Sequence, residues 1–265
     1  MDSMIRSLSF TVYYLSIACG MLVVLMIVVG GVVNRALVDR VSLRLTLAIS
    51  VVDVAKAIVL VLYMYMDQDT FTCSLVSFFI QWFTLVYLLL NSAILFNMQL
   101  IYFQGVSFKR SLEAGYWLFC FLFPTLLLVP PLAAGRLGYD KGTEGCEYKD
   151  PTSKATNVWL WCCFTFWVMV ACVYSATTAL YIVVTLPRSS SLVSRMTNRN
   201  SYTQDSGYHR NVSRLIKRLC MICLIPVFTQ TYMIISAVKF YCGIELSSFD
   251  KILATISIGN PSKPH

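Results

Sequence analysis

The chain has 265 residues, of which 57% are hydrophobic and only 13% are charged, and its formal net charge is +8. The charged share is about half that of a soluble protein, which excludes an ordinary water-soluble domain. The apolar residues form blocks long enough to cross a bilayer, so the composition predicts an all-α, multi-pass membrane helix bundle. In such a protein the basic excess is expected to mark the cytosolic side rather than a nucleic-acid surface.

Six full spans and a partial seventh are predicted along the chain. Prolines inside the fourth and sixth blocks are compatible with membrane helices, because neighbouring helices and polar side chains can satisfy the freed carbonyl groups. The predicted spans are 8–33, 42–66, 73–104, 112–135, 156–186 and 212–241, followed by a seventh that begins near Phe249.

The seventh span is predicted to stop early. From Lys251 to Gly259 a helix would measure about 13 Å, against a hydrocarbon core of about 30 Å. The sequence Asn-Pro-Ser-Lys-Pro-His that follows cannot continue a membrane span. We therefore expect a transmembrane bundle over residues 1–260, truncated in its seventh helix, and a tail at 260–265 that is foreign to it.

Basic residues cluster in the connections after spans 1, 3 and 5. Those connections hold twelve Arg and Lys residues, whereas the connections on the opposite side mix seven basic residues with eight acidic ones. The positive-inside rule therefore predicts an N-terminus outside the cell and a cytosolic loop at 187–213. The Ser- and Asn-rich sequence of that loop predicts disorder.

Two of the ten cysteines are predicted to form a disulfide bond. Most of the ten lie in apolar runs, where cysteine is usually a small buried hydrophobe. Cys73 begins span 3 and Cys146 lies in the connection between spans 4 and 5, both in polar flanks on the outer, oxidising side. A bond between them would pin that connection over the bundle; the alternative is two free thiols.

Span 2 contains an intramembrane charge pair. Asp53 and Lys56 are three residues apart and therefore share a helix face. Charges within a span usually face the bundle interior and mark function. The alternative is a self-neutralising pair that only rigidifies the bundle.

Polar residues in spans 3 and 6 are candidates for a ligand pocket. Gln81 and Thr84 lie two to three turns below Cys73, where a pocket open to the outside would be expected. Pro226 predicts a kink and a hinge in span 6, and polar side chains follow it on the outer side. These side chains could instead repair the kink by hydrogen bonding. The pocket candidates are Gln81, Thr84, Thr229, Gln230 and Tyr232.

Four tryptophans lie near the same end of the predicted spans. They could line the pocket, or they could belong to the aromatic belt that membrane proteins place at the bilayer interface. The four are Trp82, Trp159, Trp161 and Trp167.

An enzyme is not predicted. The two histidines are His209, in the predicted cytosolic loop, and His265, and no nucleophile–base pair lies within a span. We expect no catalytic residue, no metal site, no cofactor and no nucleic-acid partner.

Three segments resemble fungal G-protein-coupled receptors of the glucose-sensing and cyclic-AMP-receptor-like group. "RVSLRLTLAISVVDVAKA" resembles the second helix of that group, "ILFNMQLIYF" the end of its third and "LIPVFTQTYMI" its sixth. The resemblance covers about 40–255. It implies a seven-transmembrane receptor in the plasma membrane that passes a signal from an extracellular small-molecule or nutrient ligand to a heterotrimeric G protein. The G-protein contacts that it implies are Lys109, Arg110, Arg214, Lys217 and Arg218.

A small polytopic membrane transporter is the alternative. Transporters often carry repeated halves with helices interrupted at matching positions. The sequence shows no such symmetry, and the long basic loop between spans 5 and 6 favours a signalling protein.

Overall fold

The structure is a computed structural model that describes residues 2–33, 41–65, 71–104, 110–140, 145–149, 153–197 and residue 230. Within these ranges, five helices are long and apolar enough to cross a membrane. The described part of the chain is therefore an all-α membrane-type bundle, with one small β-hairpin added. The helices are α1 (Asp2–Val33), α2 (Val41–Tyr63), α3 (Phe71–Gln104), α4 (Arg110–Ala133) and α5, which comprises Lys154–Leu160, a π-helical turn at Trp161–Thr165, and Phe166–Thr197.

The first five predicted spans each correspond to one of these helices; most ends agree within three residues, and two differ by more. Helix α1 begins at Asp2, earlier than the predicted start at 8. Helix α5 continues to Thr197, so the first part of the predicted 187–213 loop is helical. Pro187 favoured an earlier end, because a proline inside a helix leaves one backbone hydrogen bond unmade, but a proline can kink a helix without ending it. The predicted spans 6 and 7 lie outside the described residues, except for Gln230, which is helical.

The distribution of polar and apolar side chains is that of a membrane bundle. Polar residues of α3, such as Asn91 and Asn97, are buried inside it. Large apolar residues of α1, such as Leu25 and Val33, are exposed on its outside. In water such a surface would be unfavourable, whereas hydrocarbon tolerates it and penalises exposed polar groups.

Helix α3 is the centre of the described bundle. It contacts α2, α4, the C-terminal part of α5 and both strands of the hairpin. Helix α1 packs on α2. Leu85, Leu88, Leu90 and Leu95 of α3 are almost completely buried, so this helix carries much of the apolar core.

The contact between α1 and α2 depends on a glycine. A Cβ atom at Gly20 would lie 2.5 Å from Cγ2 of Val54. Small residues allow membrane helices to approach closely, and the packing gained in this way holds such helices together where lipid gives no hydrophobic drive.

The connection between α4 and α5 forms a β-hairpin. Strand β1 (Leu137–Asp140) pairs antiparallel with β2 (Gly145–Tyr148), and Tyr139 lies opposite Cys146. Gly138 has φ +155°, and a Cβ atom there would clash with the side chain of Lys149. This connection was predicted as a loop, although two short runs flanking a glycine-containing turn are a hairpin signal.

Candidate functional site

A disulfide bond ties the hairpin to the start of α3. Sγ of Cys73 and Sγ of Cys146 are 2.02 Å apart, and both residues are buried. The hydroxyl of Ser74 donates a hydrogen bond of 2.9 Å to the carbonyl oxygen of Leu137 in β1. The structure thus brings together the two cysteines that the sequence singled out, and the hairpin covers this end of the bundle, which we call the hairpin end.

Two tyrosines lie directly beneath this disulfide bond. Tyr13 of α1 and Tyr63 of α2 pack with Cys73 and Cys146 in one apolar cluster. The hydroxyl oxygen of Tyr13 is buried and has no hydrogen-bond partner within the described ranges, whereas that of Tyr63 is buried beside the backbone of Cys146. The two hydroxyls are close enough to interact electrostatically with each other. Neither residue was predicted to be functional, because tyrosine in an apolar run gives no signal of its own.

Gln81 lies two turns below the disulfide bond on α3. Its Nε2 donates to the hydroxyl of Ser77 at 3.4 Å, and the side chain is almost completely buried. Its Oε1 is buried and has no hydrogen-bond partner among the described residues. A buried acceptor without a donor costs about 1–3 kcal/mol, so a hydrogen bond from a further donor to this oxygen would be favourable.

Thr84 lies almost one turn further along α3 and is also buried. Its hydroxyl donates to the carbonyl oxygen of Ile80 at 2.7 Å. The hydroxyl proton is therefore used within the helix, and Thr84 can offer a ligand only its oxygen lone pairs. Of the two pocket candidates on α3, Gln81 is the stronger.

Trp82 joins α3 to α4 rather than lining an open pocket. Its Nε1 donates to the hydroxyl of Thr125 at 2.9 Å, and that hydroxyl donates to the carbonyl oxygen of Phe121 at 2.8 Å. Its ring packs on Phe121 with centroids 5.8 Å apart. Pro124 interrupts the backbone ladder of α4 beside this contact, so the chain of hydrogen bonds fixes α3 against a weakened part of α4.

The other three tryptophans have separate environments on α5. Trp159 and Trp167 pack against the buried cluster between α3 and α5. The ring of Trp167 meets Phe123 edge to face at 4.6 Å, and its Nε1 donates to the carbonyl oxygen of Cys162 at 3.0 Å. Trp161 lines a groove on the surface of α5.

The intramembrane charge pair lies at the contact between α1 and α2. Asp53 and Lys56 are half-buried and interact electrostatically. Asp53 also accepts a hydrogen bond from the hydroxyl of Ser16 on α1. Ser16 was not predicted as a partner, since nothing in a single sequence shows which residue of one span faces another.

At the opposite end of the bundle an ion pair joins α2 to α4. Nη1 of Arg44 is 3.1 Å from Oε1 and 3.2 Å from Oε2 of Glu113. In the sequence, Arg44 indicated only the orientation of span 2, and Glu113 was not predicted as its partner. Towards this same end, Gln99 of α3 accepts from the hydroxyl of Tyr174 at 3.3 Å and donates to Thr178 at 3.4 Å, both on α5.

Most candidates in the predicted span 6 and in the connections predicted to be cytosolic lie outside the described residues. Gln230 is helical and half-buried, and Arg110 begins α4. The remaining candidates lie outside the described residues and stay predictions. They are Thr229, Tyr232, Pro226, Lys109, Arg214, Lys217 and Arg218.

Comparison of the chain with protein-family models gave no match, and a search of curated proteins found none either.

Proposed function

We propose that the chain is a seven-helix G-protein-coupled receptor of the plasma membrane. Its N-terminus and hairpin end face outside, where an extracellular small molecule or nutrient binds. The signal passes to a heterotrimeric G protein at the opposite end. The resemblance of the second, third and sixth predicted spans to fungal receptors of the glucose-sensing and cyclic-AMP-receptor-like group is the basis for the receptor class.

The observation that carries this proposal is the arrangement of Gln81 beneath the tied hairpin. The bond between Cys73 and Cys146 fixes a lid over the end of α3, and a disulfide persists on an oxidising, extracellular side. Two turns below it, Gln81 presents a buried acceptor without a partner among the described residues. A covered end with an unsatisfied polar group inside is suited to a small polar ligand.

The same arrangement suggests how binding is passed on. A ligand that bonds Gln81 in only one of two arrangements of the bundle shifts the equilibrium by its difference in affinity. The predicted hinge at Pro226 is the movable element in this proposal, because a proline kink lets a helix pivot. The basic loop after span 5 then meets the G protein.

The test is ligand-stimulated guanine-nucleotide exchange in membranes that contain this chain and a heterotrimeric G protein. A panel of sugars, amino acids and small organic acids is applied, and we expect at least one class to stimulate exchange. Gln81→Leu should then raise the half-maximal concentration about tenfold, which corresponds to the loss of one buried hydrogen bond. The matched control is Thr177→Val, because Thr177 is exposed on α5 and bonds only to Val173 and Tyr174 of its own helix among the described residues. Stimulation that is unchanged by Gln81→Leu would remove Gln81 from the ligand site.

A transporter remains the second candidate because of Asp53 and Lys56. An ion pair within a membrane span is characteristic of ion and proton pathways. Flux of labelled substrates into proteoliposomes that lack any G protein separates the two functions. Concentrative uptake that Asp53→Asn abolishes would favour the transporter, and nucleotide exchange without uptake would favour the receptor.

A further inference from the structure

Helix α4 has two parts that are fastened to different neighbours, and Pro124 lies between them. On the hairpin side of Pro124, the hydroxyl of Thr125 accepts a hydrogen bond of 2.9 Å from Nε1 of Trp82 on α3. On the other side, Oε1 of Glu113 is 3.1 Å from Nη1 of Arg44 on α2. Each part of α4 therefore has a polar anchor of its own.

The apolar core follows the same division. Leu128, on the hairpin side, is fully buried in a cluster that includes Leu137 and Tyr148 of the hairpin. Cys120, on the other side, is buried in a second cluster with residues of α2, α3 and α5. Because Cys120 is only about one turn from Pro124, a change in the bend of α4 would displace it little. The two parts of α4 can thus change their relative angle while both clusters stay closed.

The break at Pro124 faces a second break in α5. Pro124 has no N–H, so the carbonyl oxygen of Cys120 lacks its helical donor. Helix α4 contacts α5 at the π-helical turn, Trp161–Thr165. The ring of Phe123, directly before Pro124, meets the ring of Trp167 edge to face with centroids 4.6 Å apart. Prolines and π turns are the places where helices bend sharply, so this level of the bundle is suited to a pivot.

A small change of bend is enough to separate the ion pair. Glu113 lies about 16 Å along α4 from Pro124, so a change of about 15° would move it by about 4 Å. The outer face of this part of α4 meets no obstacle within the described chain. Leu118 and Phe119 are 65% and 54% exposed, and a Cβ atom at Gly115 would meet nothing within 4 Å. A swing in that direction displaces lipid rather than protein.

We propose that the part of α4 from Arg110 to Phe123 swings about Pro124 between two arrangements. In the closed arrangement, which is the one described above, Glu113 is paired with Arg44. In the open arrangement this ion pair is broken and the same part of α4 leans towards lipid. That the swing changes the surface offered to a G protein rests on the proposed function, whereas the swing itself rests only on the contacts of α4.

Two tryptophans are placed to report on the pivot. Nε1 of Trp82 is bonded on the hairpin side of Pro124, whereas its ring packs on Phe121 on the other side, with centroids 5.8 Å apart. Trp167 touches Phe123, which moves with the swinging part. The chain has five tryptophans, so 5-fluorotryptophan gives few fluorine resonances, each assigned by replacing one tryptophan with phenylalanine. The experiment uses the full chain in lipid nanodiscs.

A swing should make the resonances of Trp82 and Trp167 exchange between two states. Collective motions of this kind take microseconds to milliseconds, so relaxation dispersion should give one minor fraction shared by both residues. Trp159, on the hairpin side of the π-helical turn, should give a single line. Unexchanging lines at Trp82 and Trp167, or unequal minor fractions, would overturn the proposal. Exchange of Trp159 with the same fraction would also overturn it, because the hairpin side would then move as well.

Removing the ion pair should populate the open arrangement. Glu113→Gln should raise the minor fraction about fivefold at both Trp82 and Trp167, which corresponds to the loss of one partly buried ion pair. Glu113 lies about 12 Å along α4 from Phe121, the nearest contact of Trp82 on its side of the pivot. An ion pair that only stabilises the closed bundle would leave the fractions unchanged, and that result would contradict the swing.

The pivot itself is tested by restoring the missing backbone donor. Pro124→Ala allows an N–H at this position to bond the carbonyl oxygen of Cys120, so the minor fraction should fall at least about fivefold. Glu113→Gln in that variant should no longer raise it. The matched control is Pro130→Ala, which changes an exposed proline of the same helix nearer to the hairpin and should leave the exchange as it is. If Pro124→Ala preserves the exchange, or Pro130→Ala removes it, Pro124 is not the pivot.

These outcomes are separate from those of the proposed function. A chain that never activates a G protein can still show the shared exchange and its dependence on Pro124 and Glu113. If Pro124→Ala abolishes the exchange of the tryptophans but leaves ligand-stimulated nucleotide exchange unchanged, the swing exists and signalling does not require it.

Discussion

Arg44 at the start of α2 forms a two-pronged ion pair with Glu113 in the first turn of α4, with Nη1 3.1 Å and 3.2 Å from the two carboxylate oxygens. The Glu113 side chain is 11% exposed and that of Arg44 is 33% exposed, so water screens the pair only in part. The contact joins two helices that are 69 residues apart at this point. It therefore clamps the end of the bundle that, in the proposed orientation, faces the G protein.

This ion pair should contribute measurably to stability. Arg44→Gln and Glu113→Gln should each lower the free energy of unfolding, and a double-mutant cycle should give a coupling energy of about 1 kcal/mol. The cycle is needed because Arg44 has a further contact of its own. Thermal unfolding in detergent at low and high salt is the measurement. A coupling energy near zero would show that the pair contributes nothing to stability.

Gly20 should be sensitive to the addition of one methyl group. Gly20→Ala places Cβ within 2.5 Å of Cγ2 of Val54, and overpacking of this kind costs about 1–3 kcal/mol. Val54→Ala in the same protein should recover most of that loss, since the clash is with a side chain. The matched control is Gly30→Ala, where a Cβ atom meets nothing within 4 Å and helix propensity alone predicts a small gain.

Thermal unfolding of the three variants and of the unsubstituted protein distinguishes a close helix contact from a general intolerance of α1. If Gly20→Ala and Gly30→Ala change the unfolding temperature equally, the close contact between α1 and α2 does not require glycine at position 20.

The disulfide bond should behave as a single unit. Cys73 and Cys146 close a loop with a sequence separation of 73, which in the chain-entropy account contributes up to about 4 kcal/mol. Cys73→Ser and Cys146→Ser should each reduce surface expression and the response to ligand, and the double variant should add little. Cys19→Ser, which removes a free cysteine of α1, is the control. Additive losses would mean that the two thiols act separately.

The sequence predicted the features that depend on local composition. Long apolar blocks marked the five described helices, because a membrane span needs about 20 apolar residues whatever it packs against. Cys73 and Cys146 stood out because polar flanks are unusual places for a cysteine in this chain. Gln81 stood out because an amide is unusual within an apolar span.

The features that were missed depend on contacts between distant parts of the chain. Arg44 has a clear role as a topology signal, but its partner Glu113 belongs to another span. The roles of Ser16 and Tyr13 can be recognised only when the packing of α1 against α2 is known. The π-helical turn at Trp161–Thr165 has no sequence signal that separates it from a regular helix.

The proposed coupling surface gives the last prediction. Arg214, Lys217 and Arg218 follow the long polar stretch after α5 and form a basic cluster that a partner with negative charges would recognise. Replacing the three with Gln should reduce ligand-stimulated nucleotide exchange at least about tenfold, because each charge contributes to steering and docking. Surface expression and ligand affinity should change little, since twelve basic residues share the task of fixing orientation.

The control for this last experiment separates coupling from topology. Arg188 and Arg195 lie in the last part of α5 and Arg199 follows its end in the same basic stretch, and replacement of the three with Gln removes the same number of charges. A protease site inserted at Asn200 reports orientation, and in every variant it should be cut only from the cytosolic side. If both triple variants lose exchange equally, total loop charge rather than a specific contact governs coupling. If the Arg214, Lys217 and Arg218 variant signals normally, these residues do not belong to the coupling surface.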